Sequence, residues 1–174
     1  ALFVFAGIAA FTPGPNNTLL MASGMNFGFR RTLPLVFGVA FGFPLMIGLV
    51  GLGLGRIFDI YPLLYQILKY VGAAYMLFLA WKIATAKLST NEAADGKPLS
   101  FLQMVLFQWV NPKGWVMAIT ALSAYTIAEH YYIGVGMVVG MFVFMGITSA
   151  MTWAAFGSAL KGVMTDPRYF RIIN

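Results

Sequence analysis

Long apolar stretches alternate with short polar segments along the 174-residue chain. A membrane-spanning helix needs about 20 mostly apolar residues, and five stretches reach that length. They lie at about 1–26, 33–55, 63–86, 101–126 and 131–158. The one long polar segment, 87–100, falls between the third and the fourth. We therefore predict an all-α membrane protein whose spans form two groups joined by this linker.

Two of the stretches are interrupted where a spanning helix should run unbroken. The interrupting segments are Thr12-Pro13-Gly14-Pro15-Asn16-Asn17 in the first stretch and Asn111-Pro112-Lys113-Gly114 in the fourth. Proline cannot donate a backbone hydrogen bond, and glycine adds backbone freedom. In lipid, such a break is tolerated only where it is buried in protein or lines a cavity. Paired breaks in corresponding positions of two halves indicate a transporter's binding site near the bilayer midplane.

The two breaks are 97 residues apart, measured from Pro15 to Pro112. The same offset maps the second span into the fifth, and it maps the third span beyond the last residue of this chain. Each half then has three helices, and an odd number of helices inverts one half relative to the other. We expect an inverted repeat within a single membrane transport domain, 1–174. Repeat one would cover 1–86, and repeat two would cover 101–174 with the sixth helix missing.

The composition supports a membrane protein and excludes other classes. Charged residues make up 9% of the chain, whereas soluble domains carry about 25%. The net charge of +6 comes from basic residues in short loops, a positive-inside pattern rather than a nucleic-acid-binding surface. The chain has no cysteine, which excludes disulfides, thiolate metal sites and thiol-redox chemistry. It also has no nucleotide-binding motif, so we expect no cofactor.

The basic residues also predict an orientation. They fall mainly in alternate loops, and the opposite loops hold only Arg56, with Lys69 a little further on. By the positive-inside rule, the basic loops are cytoplasmic and the N-terminus is external. A signal peptide is the alternative for the first apolar run. However, no basic region precedes it, and the polar break comes before the cleavage-like Ala22-Ser23-Gly24.

Lys113 is the only ionisable residue near the middle of a predicted span. Burying a cation there costs about 2.5–3.5 kcal/mol on insertion scales, so Lys113 should face a cavity or a partner. No predicted span contains an acidic residue, and a substrate carboxylate would meet this need. The alternative is a structural role, in which the ammonium caps carbonyls freed around Pro112.

Polar residues accompany both breaks. Asn16 and Asn17 stand where a half-helix would begin, and its free N–H groups and dipole favour an anionic ligand. Asn16 could instead only cap that half-helix. Asn111 is the corresponding polar residue of the second half, and we interpret Gln108, one turn earlier, as an interhelical hydrogen bond. We expect the hydroxyls of 148–152 to bond to nearby carbonyls or neighbouring helices.

The Thr12-Pro13-Gly14-Pro15-Asn16 motif and the glycine-rich second span resemble the signature of the LysE/RhtB family of amino-acid exporters. Segments 71–85, 97–113 and 120–123 resemble its cysteine/O-acetylserine exporter subgroup. The resemblance covers essentially the whole chain. It implies a six-helix protein of the bacterial inner membrane that exports amino acids or close derivatives by use of an ion gradient. The family's motif residues correspond to Pro13, Gly14, Pro15, Asn16, Asn111, Pro112 and Lys113.

One position departs from the family pattern. Many family members have an acidic residue in the second helix after the Gly-xxx-Gly pair, whereas Phe43 follows Gly42 here. This difference argues against a strongly cationic substrate and leaves the site of proton coupling open.

Three function classes follow from these observations. The first is an alternating-access exporter of small neutral amino acids, in which the half-helix N-termini and Lys113 hold the substrate carboxylate and a proton is the coupling ion. The second is a membrane redox carrier on a related inverted repeat, which would need paired cysteines that this chain lacks. The third is a non-transporting assembly subunit that binds partners through its glycine faces. Each of the three classes is compatible with a homo-oligomer.

Overall fold

The computed structural model describes residues 1–54 and 98–165, together with isolated positions between 60 and 81; its side chains are described as far as Lys161. Every regular element within these residues is helical. Most of the predicted third span and most of the predicted linker lie outside the described residues. The all-α prediction is therefore confirmed for the part of the chain that can be compared.

The described helices follow the same order in both halves. The first half contains α1 (Leu2–Phe11), α2 (Pro15–Phe27), α3 (Phe29–Leu49) and a π-helical continuation, Val50–Leu54. The second half contains α4 (Phe101–Val110), α5 (Pro112–Tyr125), a 3₁₀ turn at Ala128–His130 and α6 (Tyr131–Thr165). Two short helices separated by a break, followed by one long apolar helix, thus occur twice.

Two of the described stretches are long and apolar enough to cross a membrane. They are Phe29–Gly53 and Ala128–Lys161. Helix α6 has 35 residues, which corresponds to about 52 Å at 1.5 Å per residue and exceeds the bilayer's hydrocarbon thickness of about 30 Å. This helix matches the predicted fifth span but continues past its predicted end at residue 158.

Both predicted breaks are present, and the prolines explain their geometry. A proline ring pushes the preceding residue out of the helical region, and the three residues before these prolines are extended: Thr12, Gly14 and Asn111. Pro15 and Pro112 then occupy the first position of α2 and of α5. The N–H that proline lacks has no helical partner at this position, so a new helix can begin there.

The connection between α2 and α3 is shorter than the sequence pattern indicates. A single residue, Gly28, ends one helix and begins the next with a φ of 80°, a conformation that favours glycine. Arg30 and Arg31 therefore lie in the first turn of α3 and not in a loop.

Glycines bring the long helices close to their neighbours. A Cβ built on Gly38 would lie 2.8 Å from a backbone oxygen of α4, and one built on Gly42 would lie 2.8 Å from a Cα of the same helix. The glycine pair of the second span, Gly38 and Gly42, thus allows close helix packing. Gly24 of α2 and Gly157 of α6 likewise face backbone atoms of the opposite helix. These contacts hold α3 and α6 around the two breaks.

Candidate functional site

A partly open cavity lies between the two breaks. Five of the predicted site residues line it, together with residues of α1, α3 and α6: Gly14, Asn16, Asn17, Asn111 and Lys113. Water centres can occupy about 40 Å³ of the cavity, which is room for about three water molecules at 10–15 Å³ each. The remaining predicted site residues, Pro13, Pro15 and Pro112, shape the backbone of the breaks and do not line the cavity.

The ammonium of Lys113 reaches across the cavity to the opposite break. Its Nζ donates a hydrogen bond to the carbonyl oxygen of Thr12, 2.6 Å away. The bonded carbonyl belongs to the first break, so the expected alternative of capping carbonyls around Pro112 is not what the structure shows. A cation at the carbonyl end of α1 is favourable because the negative end of the helix dipole lies there.

Gly14 makes room for this lysine side chain. A Cβ built on Gly14 would lie 2.9 Å from Cδ and 3.2 Å from Nζ of Lys113. The backbone of Gly14 is ordinary extended chain, with φ −178° and ψ 179°. The requirement for glycine at this position is therefore one of space and not of conformation.

A reciprocal pair of hydrogen bonds joins the side chains of Asn16 and Gln108. Asn16 Nδ2 donates to Gln108 Oε1 at 2.8 Å, and Gln108 Nε2 donates back to Asn16 Oδ1 at 3.2 Å. Gln108 is fully buried and also donates to the Met104 carbonyl. The interhelical hydrogen bond predicted for Gln108 is confirmed. The capping role considered for Asn16 is wrong, because Gly14 is the N-cap of α2 and no side chain bonds there.

Side chains satisfy carbonyls in the last turn of α1, where the prolines interrupt the helical hydrogen bonding. Asn17 Nδ2 donates to Ala10 O at 2.8 Å and to Thr12 O at 3.0 Å. Ser149 Oγ of α6 donates to Ala10 O at 2.8 Å, which is the bond to a neighbouring helix expected for one of the hydroxyls of 148–152. Both side chains are buried. Because lipid offers no hydrogen bonds, protein side chains must donate the hydrogen bonds that these carbonyls need.

The two half-helices begin differently. Asn111 is buried and caps α5, because its Oδ1 accepts a hydrogen bond from the backbone N–H of Lys113 at 3.2 Å. Among the described residues, no side chain caps α2. The first N–H groups of α2 are therefore more accessible to an anionic ligand than those of α5.

The charge at the cavity is positive within the part of the chain that the structure describes. Glu129 is the only acidic residue in 1–54 and 98–165, and it lies exposed in the 3₁₀ turn. It does not line the cavity, whereas Lys113 does. An anionic group entering the cavity would thus meet an ammonium without a carboxylate partner among these residues.

The lining of the cavity also includes apolar side chains, which were not predicted. The largest of these are Phe43 of α3, Met117 of α5 and Phe142 of α6. In the sequence, Phe43 stands out only as a departure from a family pattern. The other two residues could not be identified, because an apolar residue in a span gives the same sequence pattern whether it faces lipid, protein or a cavity.

Apolar helices, paired breaks and a cavity between them define the class of protein to which this chain belongs: a helical membrane protein with an internal cavity. A comparison with protein families identifies it further. The LysE type translocator model matches residues 7–174, and the chain belongs to this family of transporters. The resemblance noted from the break motifs is confirmed.

Curated relatives agree with this family. The cysteine/O-acetylserine efflux protein of Salmonella choleraesuis (strain SC-B67) is 35% identical over 162 residues, which cover 90% of this chain and 80% of the relative. The protein of the same name from Escherichia coli (strain K12) is 33% identical with the same coverage. No solved structure matches the chain.

Proposed function

We propose that this protein is a secondary active exporter of small neutral amino acids or close derivatives, similar to cysteine and O-acetylserine. It acts by alternating access in the bacterial inner membrane, with its N-terminus external. The substrate class is supported by the family and by the names of the relatives. The observation that carries the mechanism is the bond from Lys113 to Thr12, which joins the two breaks at the cavity.

The substrate carboxylate binds between the Lys113 ammonium and the N-terminus of α2. An ammonium has three N–H donors, and within 1–54 and 98–165 the Thr12 carbonyl is its one hydrogen-bond partner. The uncapped N–H groups of α2 begin next to Gly14, over which the lysine side chain passes. Both groups favour an anion, and hydrogen bonds to a charged group are stronger than those between neutral groups.

Alternating access follows from the way the halves meet. The bonds from Lys113 to Thr12 and between Asn16 and Gln108 each join one half to the other. Such contacts are expected of an inverted repeat, 1–86 and 101–174, whose broken helices cross near the midplane. Rocking one half against the other would exchange these bonds and open the cavity to the opposite side.

A proton is the proposed coupling ion. Lys113 is the only titratable side chain among the described residues that line the cavity. A proton that binds and leaves at this amine can therefore be linked to arrival and departure of the substrate carboxylate.

Transport by the purified protein in proteoliposomes tests the proposal, with labelled serine and O-acetylserine as substrates. Lys113→Met should reduce uptake by about 10- to 150-fold, the equivalent of one charge-assisted hydrogen bond worth about 1.5–3 kcal/mol. Lys161→Met is the matched control, because Lys161 bonds to a carbonyl at the far end of α2 and does not line the cavity. Undiminished uptake and an unchanged pH dependence in Lys113→Met would remove the proposed role of this lysine.

Thermal shift in detergent with a panel of amino acids separates an exporter from an assembly subunit. An exporter should be stabilised by its substrates by RT ln(1 + c/Kd), where c is the free substrate concentration, so that its thermal shift increases with substrate concentration. A subunit that only binds partners through its glycine faces should show no shift with any amino acid.

A further inference from the structure

The apolar part of the cavity lining has the features of a binding surface for a substrate side chain. We propose that Phe43, Met117 and Phe142, called here the apolar wall, hold the side chain of the transported amino acid and restrict it to small, uncharged groups. This inference rests on the proposed function and assigns the residues that determine its substrate class. Three different helices contribute to the wall, so its shape depends on the fold and not on one sequence motif.

The two rings of the wall support each other. Phe43 and Phe142 pack edge to face with their ring centroids 5.2 Å apart and an interplanar angle of 87°, an arrangement favoured by the aromatic quadrupole. Phe43 is 7% exposed and Phe142 is 1% exposed. Rings held in this way have little freedom to move aside for a larger ligand.

The wall is close to the backbone that follows Lys113. A Cβ built on Gly114, the residue after Lys113, would lie 3.5 Å from Cε2 of Phe43. Lys113 and Phe43 line the same cavity, so an α-amino acid whose carboxylate is bound at Lys113 can place its side chain against this ring. The side chain then lies against the packed rings of Phe43 and Phe142 and the thioether of Met117.

The dimensions of the cavity favour small side chains. Much of the rest of its lining is alanine, glycine and serine, and only about 40 Å³ is open to water centres. Every α-amino acid brings the same backbone atoms, so the side chains of alanine, serine and cysteine, which have one or two heavy atoms, require the least further space. A leucine or phenylalanine side chain would have to displace the packed ring of Phe43.

The wall also disfavours charged side chains. A second cation in the cavity would lie close to Lys113, and among the described residues no carboxylate lines the cavity to offset the repulsion. An anionic side chain would lose its hydration against the apolar wall, which offers it no hydrogen bond. Both losses act on the side chain alone, so they discriminate between amino acids that share one carboxylate site.

A neighbouring aromatic residue on the same helix provides a control. Phe41 of α3 is 47% exposed and stacks on Phe37, another exposed residue. It does not line the cavity. Phe41→Ala therefore removes the same number of atoms from α3 as Phe43→Ala without changing the cavity.

Competition by alanine, serine, leucine and phenylalanine against labelled serine in proteoliposomes tests the proposal. Phe43→Ala should improve leucine and phenylalanine relative to serine by at least about tenfold, since one methylene in an apolar pocket is worth about 10–200-fold. Met117→Phe should change the ratio in the opposite direction by filling the cavity. Phe41→Ala should leave the ratio as in the wild type. Opposite changes in two variants cannot both result from loss of folding.

Two results would overturn the inference. One is an unchanged leucine-to-serine ratio in both Phe43→Ala and Met117→Phe while they still transport serine. The other is the same shift in Phe41→Ala. The same amino-acid series measured by thermal shift reports binding without transport. A wild type that binds this series selectively but does not transport it contradicts the proposed export and supports the subsite.

Discussion

The Nζ of Lys113 lies 2.6 Å from the carbonyl oxygen of Thr12, a residue 101 positions earlier in the chain. This bond places a cation at the carbonyl end of α1, where the helix dipole stabilises it. It also holds the cation beside the N-terminus of α2, where the same dipole effect favours an anion. The two ends are brought together because the prolines interrupt one span without separating its halves.

Gly14→Ala should reduce transport without unfolding the protein. The new methyl group would lie 2.9 Å from Cδ of Lys113, so the lysine side chain must move away from Thr12. The backbone at this position is extended and suits alanine. We expect uptake to fall by about tenfold or more, as for loss of one charge-assisted bond, with thermal stability close to that of the wild type.

Gly140→Ala is the matched control for that variant. Gly140 lies within α6, and a Cβ there would meet nothing within 4 Å. Alanine should therefore be tolerated, and uptake should match the wild type. Full transport by Gly14→Ala in the same proteoliposome assay would show that the position of the lysine ammonium does not matter for function.

The amide pair of Asn16 and Gln108 should behave as one energetic unit. Removing either partner leaves the other with unmet hydrogen bonds in a partly or fully buried place, at a cost of about 1–3 kcal/mol. The variants are Asn16→Ala, Gln108→Leu and the double substitution. We expect the double variant to be less destabilised than the sum of the single variants, because it leaves no amide unpaired.

A double-mutant cycle on the unfolding free energy in detergent measures this coupling. Strictly additive effects would mean that the two amides contribute independently. Such a result would also weaken the view that this pair links the two halves of the protein.

The sequence was sufficient to locate the breaks because proline acts on its nearest neighbours. A ring at 13, 15 or 112 constrains the residue before it whatever the rest of the fold does. The glycine pair in α3 was equally readable, since its spacing places both residues on one helix face. Single-residue connections are harder to predict, because the sequence around Gly28 does not indicate its positive φ.

The partners across the cavity could not be predicted in the same way. Burial of Lys113 in a span implied some partner, but only the packing of α1 against α5 determines that it is Thr12. The same is true of Asn16, whose local sequence is compatible with a cap, although Gln108 is its partner. Phe142 lies in a long apolar helix in which no period separates the cavity side from the lipid side.

The hydrogen bonds to the carbonyls in the last turn of α1 predict which variants are destabilised most. Asn17 donates to both Ala10 and Thr12, whereas Ser149 donates only to Ala10, which keeps its bond from Asn17 when Ser149 is removed. We expect Asn17→Ala to cost about 1–3 kcal/mol and Ser149→Ala about 0.5–1.5 kcal/mol, because the first removes two hydrogen bonds and the second removes one. In Asn17→Ala the two carbonyls still accept from Ser149 and Lys113. The unfolding free energy in detergent measures both.

Thr148→Ala is the control for Ser149→Ala. The hydroxyl of Thr148 bonds only to carbonyls of its own helix, and those carbonyls keep their helical N–H donors when it is lost. Its removal should therefore change stability by less than about 0.5 kcal/mol. If Thr148→Ala and Ser149→Ala were equally destabilised, the bond from α6 to α1 would contribute nothing specific. If Asn17→Ala were the mildest of the three, the two hydrogen bonds of Asn17 would contribute nothing to stability.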